Sequence, residues 1–319
     1  MTILTTNVHT PYLYLLSKTG DLYHVIGGWN YKQRPKPENI ILIEEDQAML
    51  NLKRRNYDIF IAHNQFKDLK YIVKALRYKT PTILVFHGKK QRAGYSGSKF
   101  YYYLKALYTN LVTRNLLKLG PVHFVFIQPA VKWSYGFPGT VIEPGIDIKE
   151  MPIWKPKNKE ILIVGNDLHR HYFAHEFIFE LINSNKYEVR IVGKNTKFPS
   201  KEAENFDELK SYYQNSYLYV NVLREPESGY NLSLLEAMAV GMPIVTLDHP
   251  ESPIRNGYNG LTFETIHDMF EKIDLLLKNP TMARELGKNA RITVEKFFPI
   301  ELFIEKWKKV FKEVRLKSG

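Results

Sequence analysis

Cysteine is absent from the 319 residues. That excludes disulfides, thiolate metal ligands and a cysteine nucleophile, and leaves packing as the source of stability. No uninterrupted apolar run approaches the ~20 residues needed to cross a bilayer. The N-terminal MTILTTNVHTP has neither the basic start nor the long apolar stretch of a secretory signal. The expectation is a cytoplasmic protein. Neither half has Gly-x-Gly-x-x-Gly after its first candidate strand, and no Gly-x-x-x-x-Gly-Lys occurs. Both absences argue against a dinucleotide-dependent oxidoreductase and a Walker-type NTPase.

What is present is enough apolar residue, 44% of the chain, for two cores at the usual ~100–200 residues per domain. The formal charge of +12 is uneven. Residues 1–150 hold 21 Lys and Arg against 10 Asp and Glu, whereas the remainder is close to balance at 24 against 23. A basic half raises the local concentration of an anionic partner, whether a phospholipid surface, a lipid phosphate or nucleic acid.

Short β-branched or aromatic runs alternate with longer segments of helical period, the pattern of βαβ units and a parallel sheet. In the first half the candidate strands are Thr2–Thr5, Leu22–Ile26, Ile40–Ile43, Asp58–Ala62, Thr82–Phe86, His123–Ile127 and Thr140–Ile142. Helical stretches lie at Gln47–Arg55, Phe66–Leu76 and Lys99–Leu119. A Pro- and Lys-rich stretch, MPIWKPKNKE, then interrupts the periodicity and marks a boundary near residue 150. Beyond it the alternation restarts at Ile161–Gly165. Two similar α/β domains, 1–150 and 151–319, are expected to face each other across a cleft. Pro299–Leu316 reads as an amphipathic terminal helix, with Phe303, Trp307, Val310 and Phe311 on its apolar side, that can pack back on the first domain.

The most informative stretch is 224–246, REPESGYNLSLLEAMAVGMPIVT. A polar loop enters a helix at Gly229, where positive φ and a missing side chain would let the backbone approach a ligand. The amides of Tyr230, Asn231 and Leu232 would be unpaired donors at the helix N-terminus, a site for a diphosphate that needs no metal. Glu236 lies one turn in, where a carboxylate can accept from the two adjacent hydroxyls of a ribose. Gly241 ends the helix and Pro243 prevents its continuation.

This stretch resembles the signature of the family-four GT-B glycosyltransferases, and so does SPIRNGYNG at 252–260. More weakly, VIEPGID at 141–147, ILIVG at 161–165 and VRIVG at 189–193 resemble the interdomain turn and the first two strands of the family's second domain. The resemblance implies a GT-B fold of two Rossmann-like α/β domains and retaining transfer of a sugar from a nucleoside diphosphate sugar to an acceptor hydroxyl, with no cofactor beyond that donor and no metal. Consistently, the chain has no Asp-x-Asp pair to hold Mg²⁺ or Mn²⁺ on a diphosphate. It also implies that His87 touches the transferred sugar near the reacting carbon. His63, at another strand end, is a further cleft candidate.

The chain departs from the family pattern. Counting eight positions back from Glu236 reaches Ser228, where the family has its first, donor-contacting glutamate; Glu227 and Glu225 are the nearest carboxylates. The family's Arg and Lys on the diphosphate have Arg170 and Lys194 as candidates, since a departing nucleoside diphosphate needs its charge stabilised. His169, His171 and His175 invite a zinc reading, but spacing fixes no carboxylate ligand and the loop is equally suited to a diphosphate. The acceptor is unspecified by sequence; the basic half suits an anionic or lipid-linked one, with contact at the membrane periphery. Two alternatives remain open: a GT-B enzyme that glucosylates DNA, and a degenerate transferase that binds nucleotide or glycan without turnover.

Overall fold

The computed structural model describes residues 1–319 other than 30, 91–98, 171, 225–228 and 318–319, with the backbone alone described for 99–106. The chain divides into two compact units. One comprises Met1–Gly145 with Ile300–Gly319, and the other Ile146–Pro299.

Unit 1 runs β1 (Thr2–Thr6), α1 (Thr10–Ser17), β2 (Leu22–Ile26), β3 (Ile40–Ile43), α2 (Glu45–Lys53), β4 (Ile59–Ala62), α3 (Leu69–Arg77), β5 (Thr82–Phe86), α4 (Lys99–Leu119), β6 (Val122–Phe126), α5 (Pro129–Tyr135) and β7 (Thr140–Val141). The seven strands form one parallel sheet in the order β3-β2-β1-β4-β5-β6-β7. β4 and β5 are buried along their whole length, which is why they read as continuous apolar runs, whereas β2 alternates. Helix α1 escapes a search for amphipathic period because Tyr12–Ser17 are all buried; Pro11 opens it at a position that needs no N–H partner.

Unit 2 runs β8 (Ile161–Val164), α6 (His175–Asn183), β9 (Val189–Val192), α7 (Phe206–Asn215), β10 (Leu218–Asn221), α8 (Leu232–Val240), β11 (Ile244–Leu247), β12 (Leu261–Phe263), α9 (Ile266–Lys278) and α10 (Pro280–Phe297). Its five parallel strands are ordered β12-β11-β10-β8-β9. Helix α8 is buried from Leu234 to Val240, Glu236 included. Its C-terminus closes at Gly241, whose φ of 85° suits only a residue without Cβ steric cost. Arg291 of α10 donates to the carbonyl of Ala239 there. A Cβ at Gly287 would stand 2.1 Å from the Gly241 carbonyl oxygen, so that glycine lets α10 cross α8 at backbone distance.

The chain then returns to unit 1 as α11 (Ile300–Leu316). Phe303, Trp307, Val310, Phe311 and Val314 form its buried stripe. Trp307 is fully buried, with Tyr12 of α1 and Phe311 edge-on or tilted against it at 6.5 and 5.3 Å. Among the described residues no helix is long and apolar enough to cross a membrane.

Candidate functional site

In an open α/β sheet, ligands bind outside the carboxyl ends of the strands where the connections change direction. In unit 2 that point lies between β8 and β10, because the chain leaves β8 toward β9 on one side and later fills β10, β11 and β12 on the other. The described residues of the segments that follow β8 and β10 therefore flank it, and the second segment leads into α8.

The entrance to α8 is fixed by hydrogen bonds. Asn231 caps the helix, its Oδ1 accepting from the Leu234 amide at 2.9 Å. Ser233 donates to the carbonyl of Val164, the last residue of β8, at 3.1 Å, and the hydroxyl of Tyr219 on β10 donates to Ser233 at 3.0 Å. The start of the helix is thereby tied to both strands that frame the switch point. Asn231, Leu232 and Ser233 are only half-buried. The Leu232 and Ser233 amides precede the first residue that can find an acceptor inside the helix, so the helix's positive end faces this point with donors.

Gly229 sits where a side chain has no room: a Cβ would stand 2.4 Å from the Glu251 carbonyl carbon and 2.6 Å from the Ser252 nitrogen. The loop before α8 is thus pressed against the segment that resembles the family's second block. Tyr230 is buried, its ring edge-on to Phe298 at 5.4 Å, and so serves as an anchor by its side chain. Glu236 is 5% exposed, and the Tyr213 hydroxyl donates to its Oε2 at 2.9 Å. Tyr213 comes from α7, 23 residues away, and orients the carboxylate.

Across the switch point, the loops after β8 and β9 are knitted by two asparagines. Asn166 accepts from the Lys194 amide at 2.7 Å, and Asn195 donates to the Gly165 carbonyl at 2.9 Å while accepting from the Leu168 amide at 2.8 Å. Arg170 is more than half exposed and pairs with Asp167 at 2.5 Å; Lys194 is exposed. Glu225, Glu227, Ser228 and His171 lie outside the described residues. The zinc reading of the 169–175 histidines includes His171 and so rests partly outside the described residues.

The corresponding switch point of unit 1 lies between β1 and β4, and histidines gather there. His63, 3% exposed at the end of β4, has its Nδ1 2.9 Å from His87 Nε2 and its Nε2 3.0 Å from Thr5 Oγ1. His9, after β1, stacks parallel on His87 at 5.3 Å, and Tyr12 meets His87 edge-on at 4.7 Å. Burial pushes the His63 imidazole down to about 3, and burial followed by the neighbouring His63 and His9 holds His87 well below the usual range. Both rings are therefore neutral at physiological pH. The His63 and Asn64 amides donate to buried Asp68 at 2.7 and 2.9 Å, which pins the turn after β4. His9 and Tyr12 escaped the sequence reading; only their place just after the first strand could have signalled them.

A seven-stranded and a five-stranded parallel sheet, each with a loop site at its switch point, define the GT-B class of two-domain glycosyltransferase folds. Residues 148–279 match the family model described as glycosyl transferases group 1. A stretch of 88 residues is 35% identical to the poly(ribitol-phosphate) alpha-N-acetylglucosaminyltransferase of Staphylococcus aureus (strain COL), covering 26% of this chain and 18% of that relative. The match thus spans less than a fifth of the relative's length. HepE of Anabaena, in complex with UDP and glucose, superposes with a TM-score of 0.72 at 13% identity over 98% of this chain and 100% of that one. Sucrose-phosphate synthase from Thermosynechococcus elongatus gives a TM-score of 0.67 at 13% identity over 99% and 100%. At such identities the structural likeness is one of fold.

Proposed function

We propose that the chain transfers a sugar, with retention of anomeric configuration and without a metal ion, from a nucleoside diphosphate sugar to an acceptor hydroxyl. The observation that carries this reading is the tethered, solvent-facing N-terminus of α8 at the β8/β10 switch point, inside the segment that matches glycosyl transferases group 1. In this reading the amides of Leu232 and Ser233 bind the diphosphate, and Glu236, oriented by Tyr213, accepts from the ribose. Arg170 and Lys194 supply positive charge as the diphosphate leaves. Uridine is the base to test first, because UDP is the nucleotide in the complex of HepE. Glu227 and Ser228 are assigned to the sugar end by resemblance, and His87 to the reacting carbon.

The acceptor side belongs to unit 1 in this proposal, and its basic character suits an anionic, lipid-linked acceptor. Helix α4 supports a lipid surface over a DNA duplex. Its buried side is Thr109, Thr113 and Leu116, whereas Leu107 and Leu111, each 56% exposed, share the outer surface with Arg114 and Lys118. Outward leucines beside cations suit a headgroup layer, while a duplex offers mainly phosphates.

Titration calorimetry with UDP in the presence of EDTA tests the donor site. Binding without divalent cation is expected, and an absolute need for Mn²⁺ would overturn the metal-free diphosphate site. Transfer of labelled sugar to lipid-linked or nucleic-acid acceptors then separates the acceptor classes, and donor binding with no transfer or hydrolysis would identify a degenerate binder.

A further inference from the structure

We infer that Thr5 and His63 fix the tautomer of His87, so that His87 offers a ligand a hydrogen-bond acceptor at Nδ1 and never a neutral N–H donor. The argument follows protons across three neighbouring strands. Thr5 on β1 has one hydroxyl proton, and it goes to the Ile61 carbonyl at 2.9 Å. Thr5 Oγ1 can therefore only accept from His63 Nε2, 3.0 Å away, which places the His63 proton on Nε2. A neutral His63 then has a lone pair at Nδ1. That atom faces His87 Nε2 at 2.9 Å, so the His87 proton sits on Nε2 and its Nδ1 carries a lone pair.

Ring orientation is as constrained as protonation. Turning either imidazole over would set a carbon opposite its partner and forfeit the bond, inside a region where Thr5 and His63 are almost wholly buried. His9 stacked on one side and Tyr12 edge-on hold the His87 ring plane. Among the described residues His87 Nδ1 has no partner, so it is the atom left to meet a ligand. Naming that ligand's group as a sugar hydroxyl rests on the sugar-transfer reading above; the tautomer does not. His63 and Thr5 are thus positioning residues, and they never touch the substrate.

Histidine-selective ¹⁵N NMR of the full chain tests this without any variant. Loss of one signal set in His87→Gln and another in His63→Gln assigns both rings among the ten histidines. For both, a protonated-type Nε2 and an unprotonated-type Nδ1 are expected, and the reverse pattern for His87 overturns the proposal. Thr5→Val keeps shape but removes the acceptor, so His87 should shift toward a mixture of tautomers, and Thr5→Ser should restore the single form. An unchanged His87 spectrum in Thr5→Val rejects the relay. In transfer assays Thr5→Val should lower kcat by about tenfold with KM for donor within about twofold, since a mis-set proton costs an interaction at the reacting end. If the tautomer is as stated but His87→Ala transfers at the normal rate, the sugar-contact reading fails while the relay stands.

Discussion

The two units share a parallel-sheet plan yet present opposite chemistry at equivalent places. Unit 1 contains 26 Lys and Arg against 11 Asp and Glu, a formal +15, whereas unit 2 contains 19 against 22, a formal −3. At the switch point of unit 1 stands a hydrogen-bonded pair of neutral imidazoles, His63 and His87; at that of unit 2 stand a helix N-terminus, asparagine-tied loops and an oriented carboxylate. The unit with the larger positive charge is therefore not the one whose described geometry suits a diphosphate. In the proposed function, long-range attraction and local recognition would fall to different parts of the chain, the first decided by surface lysines and the second by amides held in place.

The largest expected effect breaks the comparison on the side of unit 1. Trp307→Ala empties a fully buried indole site, a change of ~3–5 kcal/mol. Thermal unfolding should then show an early transition, while UDP still protects unit 2 in the later one; a single transition that UDP raises throughout would mean that the units do not unfold separately. Next comes His87→Ala, expected to lower turnover ~10²-fold while UDP affinity stays within about threefold, because an interaction made only at the reacting end acts on kcat. Equal loss of affinity would erase the division of labour.

Glu236→Ala should act the other way, weakening UDP binding by roughly tenfold or more through loss of hydrogen bonds to a charged acceptor, worth ~1.5–3 kcal/mol. Tyr213→Phe removes one donor to Oε2 and is expected to give a smaller loss of the same kind. Unchanged calorimetry in Glu236→Ala would remove the ribose assignment. The smallest effect is the surface one: sedimentation with anionic vesicles should exceed that with neutral vesicles and fall with salt, and Leu107→Asp with Leu111→Asp should reduce it. No preference for anionic vesicles would leave α4 without an electrostatic partner.

Much of the fold was legible because buried parallel strands announce themselves as apolar runs. β5 and α4 fall where the pattern puts them, and β8 and β9 within a residue. Helix α1 was not legible, since burial on all sides erases the period that marks a helix. The entrance to α8 was visible as a glycine in a polar loop before a helix, but the cap by Asn231 and the closeness of Glu251 to Gly229 emerge only in the folded loop. Partners supplied by other elements stayed hidden. Tyr213 reaches Glu236 from another helix, and Thr5, His63 and His87 align only once β1, β4 and β5 are known to be neighbours.

Because α11 follows unit 2 in the chain yet belongs to unit 1, the order of synthesis differs from the order of completion. A nascent chain has all of Ile146–Pro299 available before the residues that fill the space beside Tyr12 have been made. Unit 2 can close its core as a contiguous segment. Unit 1 must leave the apolar side of α1 around Tyr12 uncovered until Phe303 and Trp307 arrive, so chaperone contact during translation should concentrate on the unit made first.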